Sequence, residues 1–249
     1  MMGILHKKIL FLACGAFIGF LFSQWYTEKP SCFDAVLFNV KPATTLFAFD
    51  LHGVVLKPNR FQIASMLWDK FPKRRFFKFL FHPVGFYSLV SLFKNEAISE
   101  QTFDEFIEQH RQFKGLKPLF IELMTTQWLD KKNVSALKLL RHLGYKCFIL
   151  SNIWPSALKT LKEKYPTLLD LFDGVYIPSA KNHYVHKPQK IFYEGFKKYL
   201  ENQNLDQKQI VFIDNNDTNI ESANKAGLHA LQVKSLDEII VKLKLFNGH

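Results

Sequence analysis

The chain has 249 residues, 48% of them hydrophobic, enough to bury a sizeable core and to exclude a largely disordered protein. Lys and Arg number 33 against 22 Asp and Glu, a formal charge of +11, which favours anionic partners: phosphorylated substrates, lipid headgroups or nucleic acid. Three cysteines, Cys14, Cys32 and Cys147, exclude a disulfide scaffold and a Cys-rich zinc module.

Residues 9–22 carry no charge, follow Lys7 and Lys8, and lead to Trp25 and Tyr26. A basic start, an apolar run and an aromatic pair match a membrane-inserting segment. Counted through Tyr26, the 18 residues make a helix of about 27 Å, close to the hydrocarbon core of about 30 Å. Residues 1–26 are therefore read as a membrane anchor or signal segment, with residues 9–26 in the bilayer. Phe22, Ser23 and Gln24 make a poor cleavage site, which favours an uncleaved single-pass anchor over a cleaved signal (a secreted or periplasmic protein) or a buried core helix. Lys7 and Lys8 place the rest of the chain on the non-cytoplasmic side. Residues 27–43 read as a linker.

Short runs rich in β-formers follow: 45–50, 146–151, 174–178, 209–214 and 229–233. Most are fully apolar, as strands of a buried parallel sheet are. Helical patterns lie between them. Residues 133–143 have Asn133 as N-cap and Gly144 as stop. Residues 189–200 place Ile191, Phe192, Phe196, Tyr199 and Leu200 on one side. Residues 218–226 lead to Gly227, and a last helix opens at Ser235 with Glu238 in capping-box spacing. This alternation predicts an α/β fold with right-handed crossovers. Residues 60–130 break it with helical spacing, Ser99 being the cap before Phe103, Phe106 and Ile107. Such an insert sits over the carboxyl end of the first strand, where open α/β sheets bind ligands. Within it, residues 70–93 interleave Lys70, Lys73, Arg74, Arg75 and Lys78 with phenylalanines. That is either a helix with one buried side or a segment lying in a membrane interface.

Four residues fall at carboxyl ends of predicted strands: Asp50 in FAFDLHGVV, Ser151 in FILSN, Lys187 in HKPQKIF and Asp214 in VFIDNNDTN. The topology brings them to one rim. Two converging carboxylates suit Mg²⁺, which takes one or two carboxylates plus phosphate and water. A lysine and a hydroxyl beside them would hold phosphoryl oxygens, and one carboxylate could attack phosphorus. His183 and His186 flank the Lys187 loop and read as surface histidines.

These motifs resemble those of the haloacid dehalogenase-like (HAD) hydrolase superfamily: DLHGV (50–54), LSN (150–152), HKP (186–188) and IDNNDTN (213–219). The stretches YPTLLDLFDGVYIPSA and NIESANKAGLHALQV resemble the subfamily with an α-helical cap inserted after the first motif. The resemblance covers roughly residues 45–234. It implies a Rossmann-like core (44–59 and 131–249) with a helical cap (60–130) and an Mg²⁺-dependent hydrolase acting on a small phosphorylated substrate. No nucleic-acid partner is expected. It further implies Asp50 as nucleophile, and Asp50, Asp214 and the main-chain carbonyl of His52 as metal ligands. Ser151, Asn152 and Lys187 would bind phosphate, with Asn215 and Asn219 in support.

One departure stands out. HAD phosphatases carry a second Asp, the acid/base, where this chain has His52. Histidine can move protons near neutral pH, but a nearby Mg²⁺ disfavours its charged form. The expectation is slow turnover, or preference for good leaving groups such as acyl or aryl phosphates. The resemblance leaves two alternatives: a dehalogenase-like hydrolase, against which the retained Asp214 argues because dehalogenases work without metal, and a catalytically weak scaffold that binds a phospho-ligand or is tethered to a membrane.

Overall fold

The structure is a computed structural model and describes residues 40–58, 62, 65, 99–109, 116–206, 208–233 and 236–247. Five parallel strands form the central sheet: β1 (Thr45–Phe49), β4 (Lys146–Leu150), β5 (Gly174–Tyr176), β6 (Gln209–Asp214) and β7 (His229–Gln232), in the order β5-β4-β1-β6-β7. All four ladders are parallel, with Phe47 level with Cys147 on one side and Val211 on the other. β1 is central, and all five of its residues are fully buried.

Alternation along the strands sorts side chains into two layers. Phe47, Phe49, Ile149, Val211 and Ile213 face one core. There they meet α3 (Lys131–His142), α4 (Pro155–Lys164) and α7 (Leu236–Asn247), through Leu137, Leu140, Leu161, Ile239 and Leu243. Leu46, Ala48, Phe148, Leu150 and Phe212 face the other. It is closed by α5 (Lys190–Glu201) and α6 (Asp217–Lys225), through Phe192, Phe196, Leu200 and Ala223. Burying each of these large side chains contributes about 1.5–3 kcal/mol. The result is a helix–sheet–helix sandwich in which β1 lies at the switch of winding direction, the place at whose strand ends open α/β sheets bind ligands.

Helix boundaries differ from the sequence reading in physical detail. The N-cap of α3 is Asp130, whose Oδ1 accepts from Lys132 N at 2.9 Å, not Asn133. Asn133 is fully buried inside the helix, and its Nδ2 donates to the carbonyls of Val54 at 2.7 Å and Val55 at 3.3 Å. It thus ties α3 to the loop after β1. Gly144 does stop this helix, at φ +88°, where a side chain would be strained. On α5, Ile191 is 60% exposed and Tyr193 is buried instead; the buried face is turned by one residue from the expected one.

Two helices of the inserted stretch are described, α1 (Glu100–Gln109) and α2 (Leu116–Thr125). Ser99 caps α1 as expected, accepting from Thr102 N at 3.0 Å. The stretch ends in a strand, β3 (Gln127–Leu129), antiparallel to β2 (Leu56–Pro58). This ladder brings residues 56–58 and 127–129 side by side. Phe103 of α1 packs on Phe120 of α2 and on Trp154 of the core, at centroid distances of 4.7 and 5.0 Å. Glu100 accepts from the first turn of α4 (Ser156 N, 3.3 Å) and pairs with Lys117 at 2.9 Å. Among the described residues no helix is long and apolar enough to cross a membrane. The proposed anchor (9–26), the linker up to residue 39 and the basic aromatic run (70–93) lie outside the described residues.

Candidate active site

The carboxyl ends of β1, β4 and β6 place three site residues directly. Asp50 follows β1, Ser151 follows β4, and Asp214 closes β6. Lys187 arrives from the loop before α5. All four meet. Lys187 Nζ lies 2.9 Å from Asp50 Oδ1 and 2.7 Å from Asp214 Oδ2. Ser151 Oγ lies 2.7 Å from the same Asp50 Oδ1 and donates to it. Asp214, Ser151 and Lys187 are almost wholly buried, and Asp50 is 7% exposed.

Burying charges is costly unless opposite charges offset the lost hydration. Burial pushes the Lys187 ammonium down, but Asp214 and Asp50 outweigh that and hold it above its ordinary value. It stays charged. Burial pushes the Asp214 carboxyl up, and Lys187 opposes this while Asp50 adds to it. Two carboxylates against one ammonium leave one negative charge uncompensated. A divalent cation together with a dianionic phosphoryl group would leave that balance unchanged.

Supporting groups hold the cluster still. Asp214 Oδ1 accepts from Asn216 N at 2.8 Å, and its Oδ2 accepts from Asn219 Nδ2 at 3.0 Å. Asn219 therefore grips a site carboxylate. Asn216 caps α6, accepting from Thr218 N and Asn219 N. Asn215 is half-buried, and its carbonyl accepts from Gln232 Nε2 at 3.1 Å. Asn152 spends its side chain on Lys187: Oδ1 accepts from Lys187 N and Nδ2 donates to Lys187 O, each at 2.8 Å. The side chain of Asn152 thus clasps the Lys187 main chain.

His186 is a correction. It is buried, not a surface residue, at 8% exposure. Its Nδ1 lies 2.9 Å from Lys187 O, a second donor to that carbonyl. His183 is exposed as expected. The other residue that sequence reading missed is Gln127 of β3, whose side-chain nitrogen meets Nδ1 of His52. Gln127 carries no motif, and His186 is the first residue of HKP; each acts through a partner brought close by folding.

His52 sits in the loop after Asp50. Gly53 N donates to Leu56 O at 2.7 Å and Leu56 N to Leu51 O at 2.8 Å, with Gly53 at φ +84°. This tight reversal needs glycine and keeps residue 52 beside the rim. Burial pushes the imidazole below its ordinary value, although Asp50 and the Gln127 hydrogen bond oppose this. His52 is therefore biased towards its neutral form.

The donor set suits a hard cation. Asp50 and Asp214, which share Lys187, offer oxygen only. Among the described residues no three His, Cys, Asp or Glu side chains gather to hold a metal unaided. A cation here would complete its shell with phosphate and water, as Mg²⁺ does.

The same fold recurs in solved proteins. An HAD family enzyme from Bacteroides thetaiotaomicron, crystallised with magnesium and inorganic phosphate, is 18% identical, with 76% of this chain and 93% of that one covered at a TM-score of 0.51. An HAD-like family hydrolase from Porphyromonas gingivalis is 19% identical, with 76% and 90% covered at 0.52. The L-2-haloacid dehalogenase RSc1362 is 16% identical, with 81% and 99% covered at 0.52. At such identities the likeness is one of fold. The sequence profile of the family described as haloacid dehalogenase-like hydrolase matches residues 89–233, more than half of the chain. Its span holds Ser151, Lys187 and Asp214, and the fold brings Asp50 to join them: the chain belongs to the haloacid dehalogenase-like hydrolase family.

Proposed function

We propose that the protein is an Mg²⁺-dependent phosphatase that acts through an aspartyl phosphate on Asp50. The observation that carries this reading is the buried cluster of Asp50, Asp214 and Lys187, one positive charge short of neutrality. The relative crystallised with magnesium and phosphate supports the same cofactor.

Asp50 is the least buried of the three charged residues. Its Oδ1 is held by Ser151 and Lys187, which orients the carboxylate. The second oxygen attacks phosphorus. Lys187 and Ser151 then neutralise and bind phosphoryl oxygens in a setting where water is scarce, so each contact counts for more than it would in bulk solvent. Asp50, Asp214 and the His52 carbonyl would hold Mg²⁺. When bound, it supplies positive charge to the phosphoryl oxygens. Asn152 and His186 fix the Lys187 main chain, and Asn219 and Asn216 fix Asp214. The substrate is a small phosphorylated molecule. Residues 1–26 anchor the protein in a membrane with the hydrolase on the non-cytoplasmic side, and 60–130 form the cap.

The test uses the full chain in detergent with acetyl phosphate or p-nitrophenyl phosphate. Phosphate release should require Mg²⁺ and stop with EDTA. Asp50→Asn should reduce it by at least about 10³-fold, the scale of losing a nucleophile. Unchanged release in that variant removes Asp50 from the mechanism. Placing the acid/base carboxylate of HAD phosphatases at position 52, as His52→Asp, should raise turnover about tenfold or more; a fall would show that His52 serves catalysis better than Asp. Halide release from a 2-haloacid without metal would overturn the phosphatase reading. Silence with retained thermal stabilisation by Mg²⁺ and phosphate would mark a binding module instead.

A further inference from the structure

The two helical layers of the core differ in charge. On the layer that meets Phe47 and Ile149, α3 and α4 carry seven cations against one carboxylate, Glu163. α3 itself holds no acidic residue. On the opposite layer, α5 and α6 carry four of each sign, and Lys190 pairs with Glu194 at 3.1 Å. A face that only needs hydration mixes signs in this way. Two of the seven cations are engaged within the chain: Arg141 with Asp173 at 3.0 Å, and Lys164 with the carbonyls of Thr125 at 2.8 Å and Gln127 at 3.2 Å. The other five, Lys131, Lys132, Lys138, Lys159 and Lys162, are exposed, and none pairs with an acidic side chain among the described residues. Asp130, the α3 cap, and Glu238 of α7 act on Lys57.

Apolar side chains bound these lysines. Trp128, 46% exposed, comes just before the α3 cap, and Leu143, 39% exposed, comes just after the helix. With 12 residues, α3 is about 18 Å long. Lysines between exposed apolar groups suit a bilayer surface, where ammonium groups meet headgroup phosphates and the apolar groups reach the acyl boundary. The path of the chain agrees. The Tyr145 hydroxyl, two residues beyond Leu143, donates to the Val40 carbonyl at 3.1 Å, so residue 40 is held at the end of α3. From there residues 27–39 can span about 45 Å when fully extended, enough to join the proposed anchor to a bilayer lying against this helix.

We propose that α3 and α4 form a face that docks on an anionic lipid surface, with the five unpaired lysines on the headgroup phosphates. The inference goes beyond the hydrolase reading and needs neither Asp50 nor Mg²⁺. Nucleic acid carries phosphate too, but the exposed leucine and the arrival of the chain at this face favour lipid.

The test uses the full chain in nanodiscs of phosphatidylcholine, alone or in an equal mixture with phosphatidylglycerol, at low salt without Mg²⁺. Reductive methylation labels lysines without removing their charge, and mass spectrometry reads each site. The five lysines should react about fivefold or more slowly in the mixed discs. Lys190 and Lys198, exposed on the opposite layer, should react equally in both. In about 1 M salt, where the screening length falls to about 3 Å, the protection should vanish. Lys138→Glu combined with Lys159→Glu should return Lys131, Lys132 and Lys162 to their rates in neutral discs, with an unchanged thermal midpoint as the check on folding. Equal rates in the two kinds of disc overturn the proposal. So does equal protection of Lys190 and Lys198, or protection that survives the double reversal. An RNA oligonucleotide that protects the five lysines where the mixed discs do not would overturn lipid in favour of nucleic acid. A chain that separates from neutral discs overturns the anchor alone, and lysine protection in the mixed discs still decides this face.

Discussion

Strand β4 ends in two ion clusters of opposite character. At its start, Asp173 accepts from Cys147 N at 2.9 Å and pairs with Lys146 at 2.9 Å and Arg141 at 3.0 Å. One carboxylate meets two cations, whose side chains are 50% and 35% exposed. At its finish, Ser151 hands over to Asp50, Lys187 and Asp214, where two carboxylates share one ammonium that is 2% exposed. The first cluster is complete within the chain, and water screens its surplus. The second is short of positive charge where water cannot compensate. That buried deficit, rather than the presence of charges, separates a site from a surface clamp.

The largest expected effect breaks the comparison at its centre. Lys187→Met removes the shared cation and leaves Asp50 and Asp214 facing each other. Removing one partner of a buried pair costs about 3–5 kcal/mol. A urea midpoint should report that loss, and millimolar Mg²⁺ should restore part of it. If Mg²⁺ restores nothing, the pair of carboxylates does not hold a cation.

A smaller effect sharpens the same contrast. Asn219→Ala removes one of the donors that orient Asp214. Outer partners of metal ligands typically contribute about 10–100-fold in metal affinity. The Mg²⁺ concentration that half-stabilises the protein in thermal unfolding should rise by that factor, beyond the fall in the metal-free midpoint that loss of a hydrogen bond to a buried carboxylate causes. An unshifted titration would place the cation away from Asp214.

Much of this was legible in the sequence, and the reason is physical. Fully buried parallel strands read as short apolar runs, so β1, β4 and β6 were visible with their boundaries within a residue. The site followed because strand ends converge by topology: Asp50, Ser151 and Asp214 need only the fold to meet. What stayed hidden acts through side chains paired across long separations. Gln127 lies on a three-residue strand inside a helical stretch, too short for a period to show. His186 reads as exposed because it lies in a loop, yet that loop turns it inward. Asn133 matched a cap by type, but Asp130 three residues earlier took that place, and burial gave Asn133 the Val54 and Val55 carbonyls instead.

The smallest effect tests the other end of β4. Burial pushes the Asp173 carboxyl up, but the Cys147 N–H, Lys146 and Arg141 outweigh it and hold it below the usual carboxylate range. A depressed folded value contributes stability at pH above the unfolded value of about 3.9, and that contribution is lost as pH falls through the folded one. Asp173→Asn should therefore cost about 1–2 kcal/mol at pH 7, mostly through the charged hydrogen bond to Cys147 N, since the exposed lysine and arginine are screened. The gap between variant and wild type should narrow below about pH 4 and close once pH falls through the lower folded value. Mg²⁺-dependent stabilisation should be the same in both, because this end of β4 has no charge deficit for a cation to relieve. A change in Mg²⁺ affinity on Asp173→Asn would mean that the two ends of the strand are coupled, and that the deficit at Asp50 and Asp214 is not a local property of the rim.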